Sequence, residues 1–428
     1  MNLSQWLHHH RRQLDPALIS TLTKYEGYLR RIPSFLRHPA EKIAHQFMQI
    51  SVLVQWEPKK ISHFTHVKNP LHECGFSVWQ YFTSIHTFSL PISLAQLPAL
   101  LQIPGVKKVY LDRKIYALLD TAVPATRASV VWPSGNHGEN ATIAILDTGI
   151  APHPDLQSRI IAFYDLVHRK NKPYDDNGHG THCAGCAAGD GFSSDGRYCG
   201  TAPKASLAGV KVLGRYGEGT MSSLIAGIQW CIRHKEKYNI RVISLSLGSD
   251  GNIPYQDDPV CQMVEYAWKK GIVVVAAAGN QGPKAQTICS PGIHPLIITV
   301  GATDHQRTAC REDDRIAKFS SRGPTADGHI KPDLVAPGTN IISLRSNGSH
   351  LDRSIPENRI DKSYFSLSGT SMATPIVAGI TALMISANPS LTPDEVKKRL
   401  LQTAFSLRTA KNIQGAGQVD AEKAILNK

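Results

Sequence analysis

The segment Ser368-Gly369-Thr370-Ser371-Met372-Ala373-Thr374-Pro375 runs directly into Ile376-Val377-Ala378-Gly379-Ile380-Thr381-Ala382-Leu383-Met384, and neither part carries a charge. Small and hydroxyl residues in the first part suit a tight turn. The apolar run suits a helix buried on every face, which has to lie inside the fold. Pro375 has no N–H to donate, so the reading puts it in the first helical turn and starts the helix near Ser371. Ser371 then sits at the helix N-terminus, beside free backbone N–H groups and the positive end of the dipole. A hydroxyl there is placed to attack a carbonyl and have the resulting oxyanion stabilised. Capping a core helix is the commoner fate of such a serine, and the rest of the chain has to decide.

At 428 residues the chain is long enough for one large α/β domain and a smaller one. No run of about eighteen apolar residues is read, so no transmembrane helix and no membrane partner are expected. Near the start, Met1-Asn2-Leu3-Ser4-Gln5-Trp6-Leu7-His8-His9-His10-Arg11-Arg12 has charges where a signal peptide needs its apolar centre, and a cytoplasmic protein is expected. The eight cysteines are scattered and are expected to be mostly free, buried thiols. The net charge is +13, with 14 Lys/Arg against 7 Asp/Glu in residues 1–120. That excess is diffuse, without a basic run interleaved with aromatics. It reads as a solvated surface and not as a nucleic-acid site.

Residues 1–45 read as a basic, helical extension broken at Pro33 and Pro39. Residues 46–114 then give a strand (50–56), a helix (59–70), a strand pair (75–82 and 87–90), a helix (94–102) and a strand (106–111). That order is the split βαβ of a small α+β ferredoxin-like domain. A less regular connector, 115–134, leads to the large domain, 135–428. There apolar strands at 141–146, 205–213, 240–247, 272–278 and 296–300 alternate with helices. The helices open at Gly178-His179, cover 220–238 and 260–270, follow Ser371, and end with 392–403. Such alternation means a mainly parallel sheet with helices on both faces, a three-layer α/β fold. Sites in such sheets lie at the carboxyl ends of strands, where Asp147 and Asn280 both fall. Residues 346–363 are polar and charged, and are expected to form a surface loop.

Three neighbourhoods carry the chemistry. Asp147 ends an apolar strand in Asp147-Thr148-Gly149. His179 lies in Asp176-Asn177-Gly178-His179-Gly180-Thr181-His182-Cys183-Ala184-Gly185. Ser371 lies in Gly369-Thr370-Ser371-Met372-Ala373-Thr374-Pro375. In this order the three resemble the subtilisin-like serine proteases (subtilases, peptidase S8) over roughly residues 121–428. The basic extension, the thiols and the N-terminus resemble the AprX-type intracellular subtilases of bacilli more than the secreted members. The resemblance implies a serine endopeptidase with Ser371 as nucleophile, His179 as general base and then acid, and Asp147 fixing the histidine tautomer. It makes Asn280, in Ala277-Ala278-Gly279-Asn280, an oxyanion donor together with the N–H of Ser371. Protein and peptide substrates would pair along Ser246-Leu247-Gly248, with Gly248 allowing close approach, while Ala277, Ala278 and Gly279 form the opposite wall. Small residues on both walls imply a roomy apolar slot and broad specificity. The ferredoxin-like domain resembles an inhibitory, folding-assisting propeptide released by a cut between residues 115 and 120. The resemblance further implies a cis peptide before Pro291.

Competing readings come from the same residues. Asp147 alone is a strand-end cap, and a single Asp-Thr-Gly falls short of the two aspartates that an aspartic protease needs. His179, His182, Cys183 and Cys186 have zinc-ligand spacings. On one helix, however, His179 pairs by face with Cys183 and His182 with Cys186, so the four do not converge. Asn280 alone is a turn residue. The chemistry requires no cofactor. His153-Pro154-Asp155-Leu156 resembles a segment carrying a structural calcium ligand, Asp155, although the companion loop at 189–197 departs from the family pattern. A catalytically silent binding or chaperone-like protein on the same fold is the alternative function, and loss of a triad residue would favour it.

Overall fold

The computed structural model describes residues 6, 7, 9–29, 49–57, 70–78, 80–82, 87–111, 122–249, 251 and 253–426. The chain divides into two compact units, Met1–Ile115 and Tyr116–Lys428. In the first, β1 (Gln49–Trp56), β2 (Gln80–Phe82), β3 (Thr87–Ser93) and β4 (Val106–Leu111) form an antiparallel sheet of order β2-β3-β1-β4. Alternation along β1 turns Val52, Val54 and Trp56 inward, and Val54 pairs with Phe88 on one side and Val109 on the other. This is the strand order of the split βαβ. The helix expected over 59–70 lies almost wholly outside the described residues, as does the expected cleavage segment 115–120. The start of the chain does not stand apart as an extension. Leu7, Leu14 and two leucines of helix α1 (Pro16–Leu29), Leu18 and Leu22, are buried in the same core as β1 and β3.

The second unit is built on a twisted sheet. Its parallel strands are β5 (Thr142–Asp147), β6 (Ile160–Asp165), β7 (Ser206–Lys211), β8 (Ile240–Leu245), β9 (Val273–Ala277) and β10 (Ile298–Asp304). They run in the order β10-β9-β8-β5-β7-β6, with a short antiparallel β11 (Arg315–Ile316) and a parallel β12 (Leu334–Pro337) beside β10. Strand β5 sits in the middle and is buried at all six positions, and its side chains are apolar from Ile143 until Asp147 ends it. A separate hairpin pairs β13 (Ile341–Leu344) with β14 (Tyr364–Leu367). The segment between them is no simple surface loop, since it holds a helical turn, His350–Ser354, capped by Ser349. The helix expected over 220–238 is interrupted at His234 and splits into Met221–Arg233 and Lys235–Tyr238.

Helix α2 (His179–Ala188) and helix α3 (Thr370–Ala387) carry the two catalytic candidates that do not lie on strands. By length and composition α3 would cross a membrane, at mean hydropathy 1.5, contrary to the expectation that no such run exists. It is 83% buried within the fold, which makes it a core helix. It starts at Thr370, so Pro375 falls in the second turn and not the first. A proline there deprives the carbonyl four residues back, that of Ser371, of its helical donor. The Oγ of Ser246 donates to that oxygen at 2.8 Å and the Sγ of Cys183 at 3.4 Å, which is how the fold tolerates the proline.

Helix α3 passes very close to its neighbours. A Cβ on Gly379 would come within 2.0 Å of Thr201 Oγ1 and 2.6 Å of the Ala187 carbonyl oxygen. Because the second obstacle is backbone, Gly379→Ala is expected to cost about 1–3 kcal/mol. Chemical denaturation of inactive protein should show a lower midpoint with an unchanged slope.

Candidate active site

Asp147 is buried at the carboxyl end of β5, and His179 opens α2 across from it. The His179 Nδ1–H donates to Asp147 Oδ1 at 2.8 Å, with Oδ2 at 3.0 Å. Asp147 Oδ1 also accepts the N–H of Thr148 at 2.7 Å, which fixes the carboxylate's rotation. Burial opposes charge on the imidazole, but the adjacent Asp147 carboxylate outweighs it, and the His179 pKa stands well above the ordinary 6.5.

The loop leading into His179 is held by a buried hub. Asp175 accepts N–H groups from Asn177, Gly178 and Thr181 and hydroxyls from Thr148 and Thr181. The Thr148 hydroxyl in turn accepts the N–H of Gly180 at 2.9 Å. Lys211, fully buried at the end of β7, donates to the Thr148 carbonyl at 2.6 Å, to Asp176 at 2.7 Å and to the Leu213 carbonyl at 2.9 Å. It therefore ties the Asp147 strand end to the His179 loop. Sequence reading missed Lys211 and Asp175. The signal for Lys211 was the one that marked Asp147, a lone charge closing an apolar strand.

Ser371 is half-buried in the first turn of α3. Its Oγ donates to the Ser246 carbonyl at 3.1 Å, and the Ser246 hydroxyl donates back to the Ser371 carbonyl. Asn280 has its orientation set by Thr370, whose N–H and Oγ1 both donate to Asn280 Oδ1 at 2.9 and 3.1 Å. That turns the Asn280 NH₂ the other way. A Cβ built on Gly369 would lie 3.3 Å from Asn280 Nδ2 and 3.6 Å from the Ser371 nitrogen, so these two donors border one small space. Such a space suits an anionic oxygen.

The cleft beside His179 has a volume of about 600 Å³, and Ser246, Leu247 and Gly248 line it. Ala277, Ala278 and Gly279 do not line it. Both alanines are buried at the end of β9, and Gly279 is half-buried. Gly248 is also needed inside the fold, because a Cβ there would meet Cys289 Cβ at 2.9 Å and the Ser290 carbonyl at 3.0 Å. The Ser290–Pro291 peptide is cis.

Cys183 lies under the pair, its Sγ 3.8 Å from His179 Nδ1. Burial pushes this thiol up, so it stays protonated at neutral pH. Donor atoms of Asp147, His179 and Cys183 fall within 4.8 Å of one another, but a metal there would have to break the Asp147–His179 bond. His182 and Cys186 belong elsewhere. The His182 Nε2–H points at the carbonyls of Ile341 and Phe365, and burial brings its pKa down to about 3. The four residues with zinc spacing thus face two separate places.

The surroundings of Asp155 do not fit a calcium ion, which takes six to eight oxygen ligands. Both carboxylate oxygens already accept hydrogen bonds, one from the Ser193 N–H at 2.9 Å and the other from the Tyr364 hydroxyl, with the His153 ring at 3.5 Å. Burial and the Asp155 carboxylate raise the Tyr364 pKa, which keeps the phenol protonated as donor.

An Asp–His pair at a strand end and a serine in the first turn of a buried helix, linked through Cys183 over a mainly parallel α/β sheet, form the arrangement of a subtilisin-type serine endopeptidase. Residues 138–417 match the model of the Subtilase family, and the chain belongs to that family. It is 44% identical to Serine protease AprX of Bacillus subtilis (strain 168) over 436 residues, 96% of each chain. It is 38% identical to Thermitase of Thermoactinomyces vulgaris over 67% of this chain and 89% of that one. It is 37% identical to Subtilisin Savinase of Lederbergia lenta over 71% and 97%.

Two outcomes are expected. In a Ser371→Ala background, an NMR titration should place the His179 pKa above 6.5. Adding Asp147→Asn should lower it, because the main group favouring the charged ring is removed while burial still opposes the charge. Tyr364→Phe keeps the ring but leaves buried Asp155 one donor short, at a cost of about 1–3 kcal/mol that thermal unfolding of the same inactive background would measure.

Proposed function

We propose that the chain cleaves peptide bonds in proteins through a Ser371 acyl-enzyme, with His179 and Asp147 completing a triad. The observation that carries this reading is the Asp147–His179 bond, with Cys183 Sγ 3.8 Å from His179 Nδ1 and 3.4 Å from the Ser371 carbonyl, together with the paired donors Asn280 Nδ2 and Ser371 N–H. Rotation of Ser371 about χ1 exchanges its bond to the Ser246 carbonyl for one to His179 Nε2. The imidazole takes the hydroxyl proton as Oγ attacks the scissile carbonyl, and the oxyanion enters the space bordered by Asn280 and the Ser371 N–H. The imidazolium, stabilised by Asp147, then protonates the departing amine. Water repeats the sequence in reverse and releases the acid. Every proton in this scheme moves between groups of the chain, substrate and water, so no cofactor is required.

The substrate lies extended along Ser246-Leu247-Gly248, recognised mainly through its backbone, which supports broad specificity with a preference for apolar side chains. The first unit acts as an intramolecular propeptide, assisting folding and inhibiting the enzyme until the connector is cut between residues 115 and 120. The support is its split βαβ sheet directly before the catalytic unit in the chain. We further propose that the enzyme works in the cytoplasm as an activated zymogen, on the thiols without disulfide partners among the described cysteines. A silent binding protein would need none of the hydrogen bonds that hold Asp147, His179 and Asn280 in these orientations.

The test is one assay on wild type and Ser371→Ala. A serine-directed covalent inhibitor should label wild type at Ser371 and abolish casein hydrolysis. The variant should neither take the label nor hydrolyse casein, and its mass should remain that of the uncut chain. Casein hydrolysis persisting in Ser371→Ala would overturn the triad. A variant with its connector cut as efficiently as wild type would overturn self-processing.

A further inference from the structure

The insertion at 346–363 is fastened to the loop that carries His179. The N–H of His350 donates to the Asp176 carbonyl at 2.8 Å, that of Leu351 to the Asn177 carbonyl at 2.9 Å, and the Ser346 hydroxyl to the Asp175 carbonyl at 2.7 Å. Gly178 has no room for a side chain, since a Cβ there would lie 2.7 Å from Ser349 Oγ. Behind the contact, buried Asp352 binds Arg345 and Arg359 and the N–H of Gly348. Burial opposes its charge, but these partners prevail and hold its pKa to about 2. Across the cleft, the His350 ring meets the exposed Tyr216 ring edge-on, with centroids 5.0 Å apart. The effect is to bring Leu351, half-buried, into the lining of the cleft with His179, Asn177 and Leu213.

We propose that Leu351 is a specificity-determining residue, forming with Leu213 the apolar pocket for the side chain two positions before the scissile bond. This rests on the substrate reading above. Side chains of an extended peptide alternate between opposite sides. In the substrate reading above, the residue directly before the scissile bond points toward the part of the cleft lined by Gly248, Val260 and Ser290. Its predecessor therefore points toward His179, Leu213 and Leu351. Two leucines and an imidazole face form a mainly apolar pocket, and the anchoring of the insertion limits its size. The pocket accepts small aliphatic side chains and excludes large aromatic ones.

The experiment compares wild type, Leu351→Ala and Leu351→Phe on two peptide series, one varied only at the position two before the cut and one varied only directly before it. Active-site titration with a serine-directed inhibitor sets the concentration of folded enzyme in each case. In Leu351→Ala the ratio of kcat/KM for Phe over Ala at the first position should rise by about tenfold. Leu351→Phe should lower the same ratio, and the second series should keep its order in all three proteins. Ratios within about twofold of wild type in both variants would overturn the role of Leu351, on the scale set by removing apolar contacts. A wild-type enzyme that takes the label but cleaves no peptide would instead overturn the substrate reading beneath it.

Discussion

The carbonyl oxygen of Ser371 is the point on which the site depends. Pro375 denies it a helical partner, and a buried carbonyl without one would be costly. The fold supplies Ser246 from the end of β8 and Cys183 from α2. One missing N–H thus joins three elements at a single atom. The first turn of α3 is fixed from its carbonyl side, while Thr370 fixes Asn280 from the amide side. The N-terminus of a stiff buried helix then presents Ser371 with little freedom to drift.

The other half of the site is held by charge. Lys211 and Asp175 are buried, each with several partners, and they bridge strand ends that belong to different crossovers. Removing one member of such a network leaves the rest uncompensated, so the network specifies the spacing of Asp147 and His179 more than it adds net stability. The raised His179 pKa follows from that spacing, and in the proposed mechanism it moves the loss of activity on the acid side to higher pH than a free imidazole would give, since the base must be neutral to act.

Much of this was legible in the chain. The strand ending at Asp147, the helix opening at His179 and the apolar helix behind Ser371 follow from local pattern, and local pattern is what periodicity reports. What escaped depends on contacts distant in sequence. Pro375 could sit deeper in its helix because Ser246, well over a hundred residues earlier, answers the freed carbonyl. The insertion reads as a polar loop because its anchoring is mostly backbone to backbone, which side-chain composition does not reveal. Ala277 and Ala278 resemble a substrate wall by motif, and their burial, which depends on neighbours across the sheet, keeps their side chains out of the cleft lining. The N-terminal leucines Leu7, Leu14, Leu18 and Leu22 looked like part of a basic helix, yet they complete a core whose sheet begins after residue 48.

The bond from Tyr364 to Asp155 has a consequence for where such an enzyme can work. A loop pinned by a dissolved cation holds only as well as the surrounding concentration of that cation allows, by mass action. Here the equivalent hold comes from a phenol on β14, a few residues before α3 begins, and fully buried. It is present in every molecule at the same effective concentration, and no chelator can withdraw it. Firmness at this point of the fold is a property of the polypeptide and not of the medium around it.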